Sequence, residues 1–123
     1  GIRVRKDKFA MDLLINGDFV KRYKVGLGVN DSTPEGEFVV RNRIPYPQDG
    51  TFPFGHPEHR LGSHWLGLKG APEYKGYGIH GCPYEKYDEI GTECSQGCVR
   101  VTNEEVEELF EILPIGTRVL ITD

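Results

Sequence analysis

Two residues of this 123-residue chain are best suited by type and setting to chemistry: Cys98, in Ser95-Gln96-Gly97-Cys98-Val99-Arg100, and His80, in Tyr77-Gly78-Ile79-His80-Gly81. A thiol is a weak nucleophile near neutral pH unless a base or a positive field favours the thiolate. The sequence around Cys98 supplies such help. Gly97 lets backbone N–H groups approach a substrate carbonyl, Arg100 brings a cation, and Ser95 can hydrogen-bond within the turn. A helix start follows at once, and its N-terminus would add a field of about 0.3–1 kcal/mol. His80 closes a strand-like run, and Gly81 after it permits a turn. Two reactive groups at the ends of neighbouring strands are a common way for a β scaffold to build a site. Local features alone leave open a structural Cys98 and a hydrogen-bonded structural His80.

The other cysteines and histidines offer competing chemistry. Three cysteines are an odd count; Cys82 and Cys94 flank a short loop and could pair in an oxidising compartment, leaving Cys98 alone. A Cys94–Cys98 disulfide would instead make a thiol-redox protein, although no CxxC occurs. His56, His59 and His64 are close in sequence, but Pro57 and Gly62 put them on a loop and not on one helix face. Surface or cleft histidines are therefore favoured over zinc ligands, and neither a metal nor a cofactor is expected.

The elements that must carry these residues read as mainly β. Phe9–Ile15 and Phe19–Val25 flank Asn16-Gly17, a tight-hairpin signal, and the second run promises one covered and one wet face. Gly26–Gly36 reads as a connection into a strand over Glu37–Arg41. Residues 42–62, with four prolines, read as a long irregular excursion, and the aromatic and histidine-rich stretch Tyr46–Trp65 is the candidate cleft wall. Trp65–Leu68 and Tyr77–His80 are short strands joined by a polar turn over Lys69–Gly76. Thr102-Asn103-Glu104-Glu105 fits a capping box, and Val106, Leu109, Phe110 and Leu113 recur at helical spacing. Pro114-Ile115-Gly116 ends that helix, and Thr117–Thr122 is a final strand.

A single domain over 1–123 is expected, since no linker, repeat or low-complexity segment appears. Fifteen basic against nineteen acidic residues, with no basic stripe, argue against nucleic acid or an anionic membrane as partner. The first residues, GIRVRKDKFA, are followed by no apolar run, so no membrane insertion is read there and secretion stays open.

His80-Gly81 followed by Ser95-x-Gly97-Cys98-x-Arg100 resembles the signature of the L,D-transpeptidase catalytic domain, or YkuD domain, family. The similarity runs in order through Asn16-Gly17, Gly26-Leu27-Gly28, Thr33-Pro34-Glu35-Gly36, Pro53-Phe54-Gly55, Trp65–Leu68 and Gly116–Ile121, covering the chain from about Lys8. The pairing of HG with SxGCxR is more specific than either half. The resemblance implies a β-sandwich with one short amphipathic helix after the cysteine loop. It also implies Cys98 as nucleophile, His80 as base, and a carbonyl near Gly81 orienting the imidazole. Ser95 and Gly97 fall in the oxyanion-forming turn, where the Gly97 and Cys98 N–H groups would hold the oxyanion.

Arg100, Gln96, Trp65 and Tyr77 are expected at the substrate, Arg100 more as a brace than as a direct contact. The implied partners are peptidoglycan stem peptides, with carbapenem acylation of Cys98 possible, in an extracytoplasmic setting at the cell wall or periplasm. The reaction would release a terminal D-amino acid from a tetrapeptide stem and pass the acyl group to an amine. With water as acceptor it becomes L,D-carboxypeptidation. Gln96 stands where the family commonly has histidine, and Cys82 and Cys94 are further departures. These keep a non-catalytic cell-wall binding module in view.

Overall fold

The computed structural model describes residues 1–70 and 76–123; most of the polar turn expected over Lys69–Gly76 lies outside the described residues. Ten strands run through the described residues: β1 (Ile2–Arg5), β2 (Ala10–Ile15), β3 (Asp18–Lys24), β4 (Leu27–Gly28), β5 (Gly36–Pro45), β6 (His64–Lys69), β7 (Gly78–His80), β8 (Glu93–Ser95), β9 (Val99–Arg100) and β10 (Arg118–Thr122). One α-helix among the described residues, α1 (Asn103–Ile112), lies between β9 and β10. Eight strands form a mixed sheet in the order β3-β2-β1-β10-β5-β6-β7-β9, and β4 pairs with β8 as a parallel ribbon. The ribbon joins the sheet where Gly26 and Arg100 exchange both backbone hydrogen bonds, at 2.8 and 2.9 Å.

The sheet curls into a half-barrel around α1. The helix packs on β6 and β7 towards one end of the strand order. Its Glu108 is also reached by Tyr23 and Lys21 of β3, the strand at the opposite edge. Val106 and Leu109 are fully buried in a core with Val4, Met11, Tyr23, Leu66 and Ile79, each contributing roughly 1.5–3 kcal/mol on the usual transfer scale. The helix begins at the capping box read from the sequence: the Glu105 N–H donates to Thr102 Oγ1, and the Thr102 N–H to the Glu105 carboxylate. The result is a mainly β sandwich with one short helix, as expected.

Three features depart from the sequence reading. β1 was missed: its Ile-Arg-Val-Arg alternation turns Ile2 and Val4 into the core between β10 and β2. β5 continues to Pro45, beyond the expected end at Arg41, by absorbing a register shift between Val40 and Asn42. The irregular excursion therefore spans 46–63. In β3 the expected apolar face fails, because a register shift at Leu13/Leu14 leaves Val20 as an extra residue and reverses the alternation beyond it. Tyr23 is buried, while Phe19 and Val20 stand 60% and 52% exposed. The turn itself is as read, with Asn16 and Gly17 both at positive φ.

Candidate active site

β7 and β9 are parallel neighbours, pairing Ile79 with Val99 and His80 with Arg100. That register brings the end of the histidine strand beside the exit of the cysteine turn. His80, Ser95, Gln96, Cys98 and Arg100 all line one cleft of about 400 Å³. Its other walls come from Pro57, His59, Arg60 and Leu61 of the 46–63 excursion and from Pro83, Glu85, Lys86 and Glu89 at the 3₁₀ turn Tyr84–Glu89.

The cysteine turn is tied internally. Ser95 Oγ donates to the Cys98 carbonyl at 2.7 Å and accepts from the Gly97 N–H at 3.2 Å. The Gly97 donor expected at an oxyanion is therefore engaged inside the turn. Gly97 has φ +133°, and a Cβ there would lie 2.6 Å from the Tyr77 ring. From the other side Gly28 presses on the turn, since a Cβ on it would lie 2.7 Å from the Gly97 Cα. The Gly26–Gly36 connection thus supports the cysteine loop, a role its sequence did not disclose. The helix N-terminus does not cap this turn directly: β9 intervenes, Thr102 closes the first turn, and the Asn103 N–H donates to Tyr87 Oη at 2.9 Å.

His80 is buried, and its Nδ1 lies 2.5 Å from the Gly81 carbonyl oxygen. A carbonyl only accepts, so Nδ1 carries the proton and Nε2 is left as the ring's acceptor. Burial lowers the His80 pKa to about 4, against the Gly81 hydrogen bond that raises it, with the nearby Arg100 charge lowering it further. Burial also pushes the Cys98 thiol up, opposed by the Gly78 N–H and by Arg100. Both groups therefore rest neutral. Arg100 is 8% exposed and reaches Glu89 at 3.3 Å through Nη1, while its Nε is buried without a partner among the described residues.

Trp65, across the strand pair from His80, stacks on the imidazole at 5.7 Å between centroids and 20° between planes. Trp65 and Tyr77, expected at the substrate, thus sit beside His80 and beside Gly97 respectively and are not among the residues that line the cleft. Sequence reasoning missed Arg60, which is held on the cleft by its backbone N–H and two guanidinium hydrogen bonds to Asp49, at 2.9, 2.9 and 3.2 Å. It also missed the Glu89–Arg100 pair; the acidic and basic run 85–89 was the available signal.

All three cysteines are free thiols. Cys82 is fully buried, faces the Val101 carbonyl at 3.7 Å and is pushed up to about 12 by burial. Cys94 borders the cleft. His56 stacks on Phe52, His59 meets the Pro47 carbonyl at 2.6 Å, and His64 meets Ser63 Oγ at 2.9 Å. Among the described residues no three metal-ligating side chains converge. No described helix is long and apolar enough to cross a membrane.

Residues 1–121 match the family model described as the L,D-transpeptidase catalytic domain. A putative L,D-transpeptidase of Bacillus subtilis (strain 168), YqjB, is 43% identical over 106 residues; these cover 82% of this chain and 58% of that protein. The fold is shared with an L,D-transpeptidase from Mycobacterium smegmatis, at TM-score 0.79 and 15% identity over 99% of this chain and 58% of that one. It is shared too with L,D-transpeptidase 3 from Mycobacterium tuberculosis, solved with a faropenem-derived adduct, at TM-score 0.78 and 16% identity over 99% and 59% of the two chains. The chain belongs to the L,D-transpeptidase catalytic domain family. It spans between half and three-fifths of the length of these relatives.

Proposed function

We propose that the chain is a peptidoglycan L,D-transpeptidase in which Cys98 is the nucleophile and His80 its base. The observation that carries the reading is that these two residues line one cleft, with the imidazole held by the Gly81 carbonyl so that Nε2 can take a proton. In the donor step Cys98 Sγ attacks the carbonyl joining an L-centre to the terminal D-residue of a tetrapeptide stem, and its proton passes to His80 Nε2. The tetrahedral intermediate collapses as His80 returns that proton to the departing D-amino acid, leaving a thioester on Cys98. An amine of a second stem then attacks the thioester, gives its proton to His80 and restores the thiol. The Cys98 N–H is the turn's donor to the oxyanion, because the Gly97 N–H is engaged by Ser95. Arg100 braces the cleft floor through Glu89. Such a substrate places the protein outside the cytoplasm, at the cell wall or in the periplasm.

The test incubates purified protein with a disaccharide-tetrapeptide and identifies products by mass spectrometry. A cross-linked dimer and free D-amino acid are expected, both lost in Cys98→Ala and in His80→Ala. Release without cross-links would reassign the acceptor as water. Undiminished release by Cys98→Ala would end the assignment of the nucleophile. Faropenem, which left an adduct on the M. tuberculosis relative, is expected to add mass at Cys98 here.

A further inference from the structure

The carbonyl that fixes the His80 ring belongs to the Gly81–Cys82 peptide, and that peptide is clamped on two sides. A Cβ on Gly81 would lie 2.0 Å from Asn103 Oδ1. A Cβ on Gly62 would lie 2.3 Å from the same oxygen, 2.4 Å from the Gly81 carbonyl carbon and 2.5 Å from the Cys82 nitrogen. Gly62 has φ +69°, a left-handed conformation that favours glycine. Asn103 Oδ1 is itself held in place, accepting the Ser63 N–H at 2.9 Å, and the Asn103 N–H is held by Tyr87 Oη. Asn103 is the first residue of α1, five positions after Cys98. One amide side chain therefore links the helix that follows the nucleophile, the 46–63 excursion and the peptide that orients the base.

We infer that Asn103, seated against Gly62, is a positioning residue: it locks the Gly81 peptide so that its carbonyl holds His80 in the Nδ1–H tautomer with Nε2 free to receive the Cys98 proton. Asn103 touches no reacting atom in this scheme and acts only through Gly81. The inference rests on the proposed Cys98–His80 pair, but its first consequence is a property of the resting protein. With the Asn103 amide removed, the Gly81 peptide has room to rotate, the imidazole loses its fixed partner, and both ring tautomers become populated. Asn103→Asp keeps the volume and the acceptor for Ser63, and an acid is well placed in a helix first turn.

The experiment labels histidine with ¹⁵N in the full chain and reads the His80 ring nitrogens by long-range ¹H–¹⁵N spectroscopy at pH 7, alongside the rate of faropenem acylation. The unmutated protein is expected to show Nδ1–H alone. Asn103→Ala is expected to show mixed tautomers and acylation slowed by about tenfold to a hundredfold, the scale of a small misplacement of a reacting group. Asn103→Asp should recover the single tautomer and most of the rate. Gly62→Ala, which drives a methyl into the same peptide, should reproduce the mixed tautomers with Asn103 intact. If Asn103→Ala does not fold, Asn103→Ser, which withdraws Oδ1 while keeping a polar helix start, carries the same expectation. Folded Asn103→Ala or Asn103→Ser protein still wholly Nδ1–H, or with mixed tautomers and an unchanged acylation rate, overturns the inference. Failure of the unmutated protein to be acylated at all would instead strike the proposed nucleophile, leaving the tautomer readout to stand by itself.

Discussion

His80→Gln tests the electrostatic state of the proposed base without substrate. In the folded protein burial holds the His80 pKa at about 4, whereas an unfolded histidine titrates near 6.5. Between those values the unfolded chain binds the extra proton, so the stability that neutral His80 contributes is complete above pH 6.5. It is lost as pH falls towards 4. At about 1.4 kcal/mol per pH unit, that window corresponds to a loss of about 3 kcal/mol between pH 7 and pH 4. Other carboxylates also weaken the fold in acid, notably Asp12 and Asp49, whose arginine partners hold their pKa values down. His80→Gln leaves those pairs in place and removes only the histidine's share. Urea unfolding at pH 7, 6, 5 and 4 can be followed by fluorescence of Trp65, the chain's one tryptophan, whose ring stacks on the imidazole. The acid-induced loss should be smaller in His80→Gln by about 3 kcal/mol. Equal losses in the two proteins would show that His80 titrates as a solvated histidine and would falsify the neutral buried base.

The same pair sets the pH dependence of Cys98 acylation. The competent state carries one proton between thiol and imidazole, so the rate should hold level from above pH 4 into alkaline solution, where the raised Cys98 thiol ionises; an acid limb centred near pH 6.5 would contradict it. Gly97→Ala must place a methyl at positive φ 2.6 Å from the Tyr77 ring. A stability loss of about 1–3 kcal/mol in urea is expected, together with loss of acylation, and a neutral result would mean that the turn is not tightly packed. Brief iodoacetamide treatment at pH 7.5 with peptide mapping should modify Cys98 and Cys94 well before Cys82, which is buried and pushed up to about 12; early labelling of Cys82 would reverse that order.

The parts of the molecule legible in sequence are those fixed by local rules. Asn16-Gly17 announces its turn because both residues readily take the left-handed conformation that a type I′ hairpin turn requires. Thr102 and Glu105 announce the start of α1 because each satisfies the other's backbone donor. Cys98 and His80 stand out because reactive types next to glycines are few in so short a chain. What escaped is non-local. The β3 alternation reads as one apolar face until a register shift against β2 reverses it. Nothing in Gly28 reveals that its missing side chain lets the connection press against Gly97, and nothing in Asn103 beyond helix-start preference reveals its contact with Gly81. The pairing of Glu89 with Arg100 likewise depends on the chain returning across the cleft after the 3₁₀ turn.

Arg100 pulls in opposite directions on the two ends of the proposed proton transfer. Its charge stabilises a thiolate at Cys98, yet it also lowers the His80 pKa and so opposes the imidazolium. In moving a proton from sulfur to imidazole these effects oppose each other, and burial weighs against both charged forms. The resting site therefore favours the uncharged thiol and imidazole over a preformed ion pair. Charge separation becomes favourable only when something else supplies solvation, and that is what a substrate carbonyl does as it accepts the sulfur and gathers negative charge on its own oxygen. In the proposed acylation the Cys98 proton then leaves as the new bond forms, and the developing charge passes from sulfur to oxygen. A cysteine kept in this way is a poor target for small oxidants that require a standing thiolate.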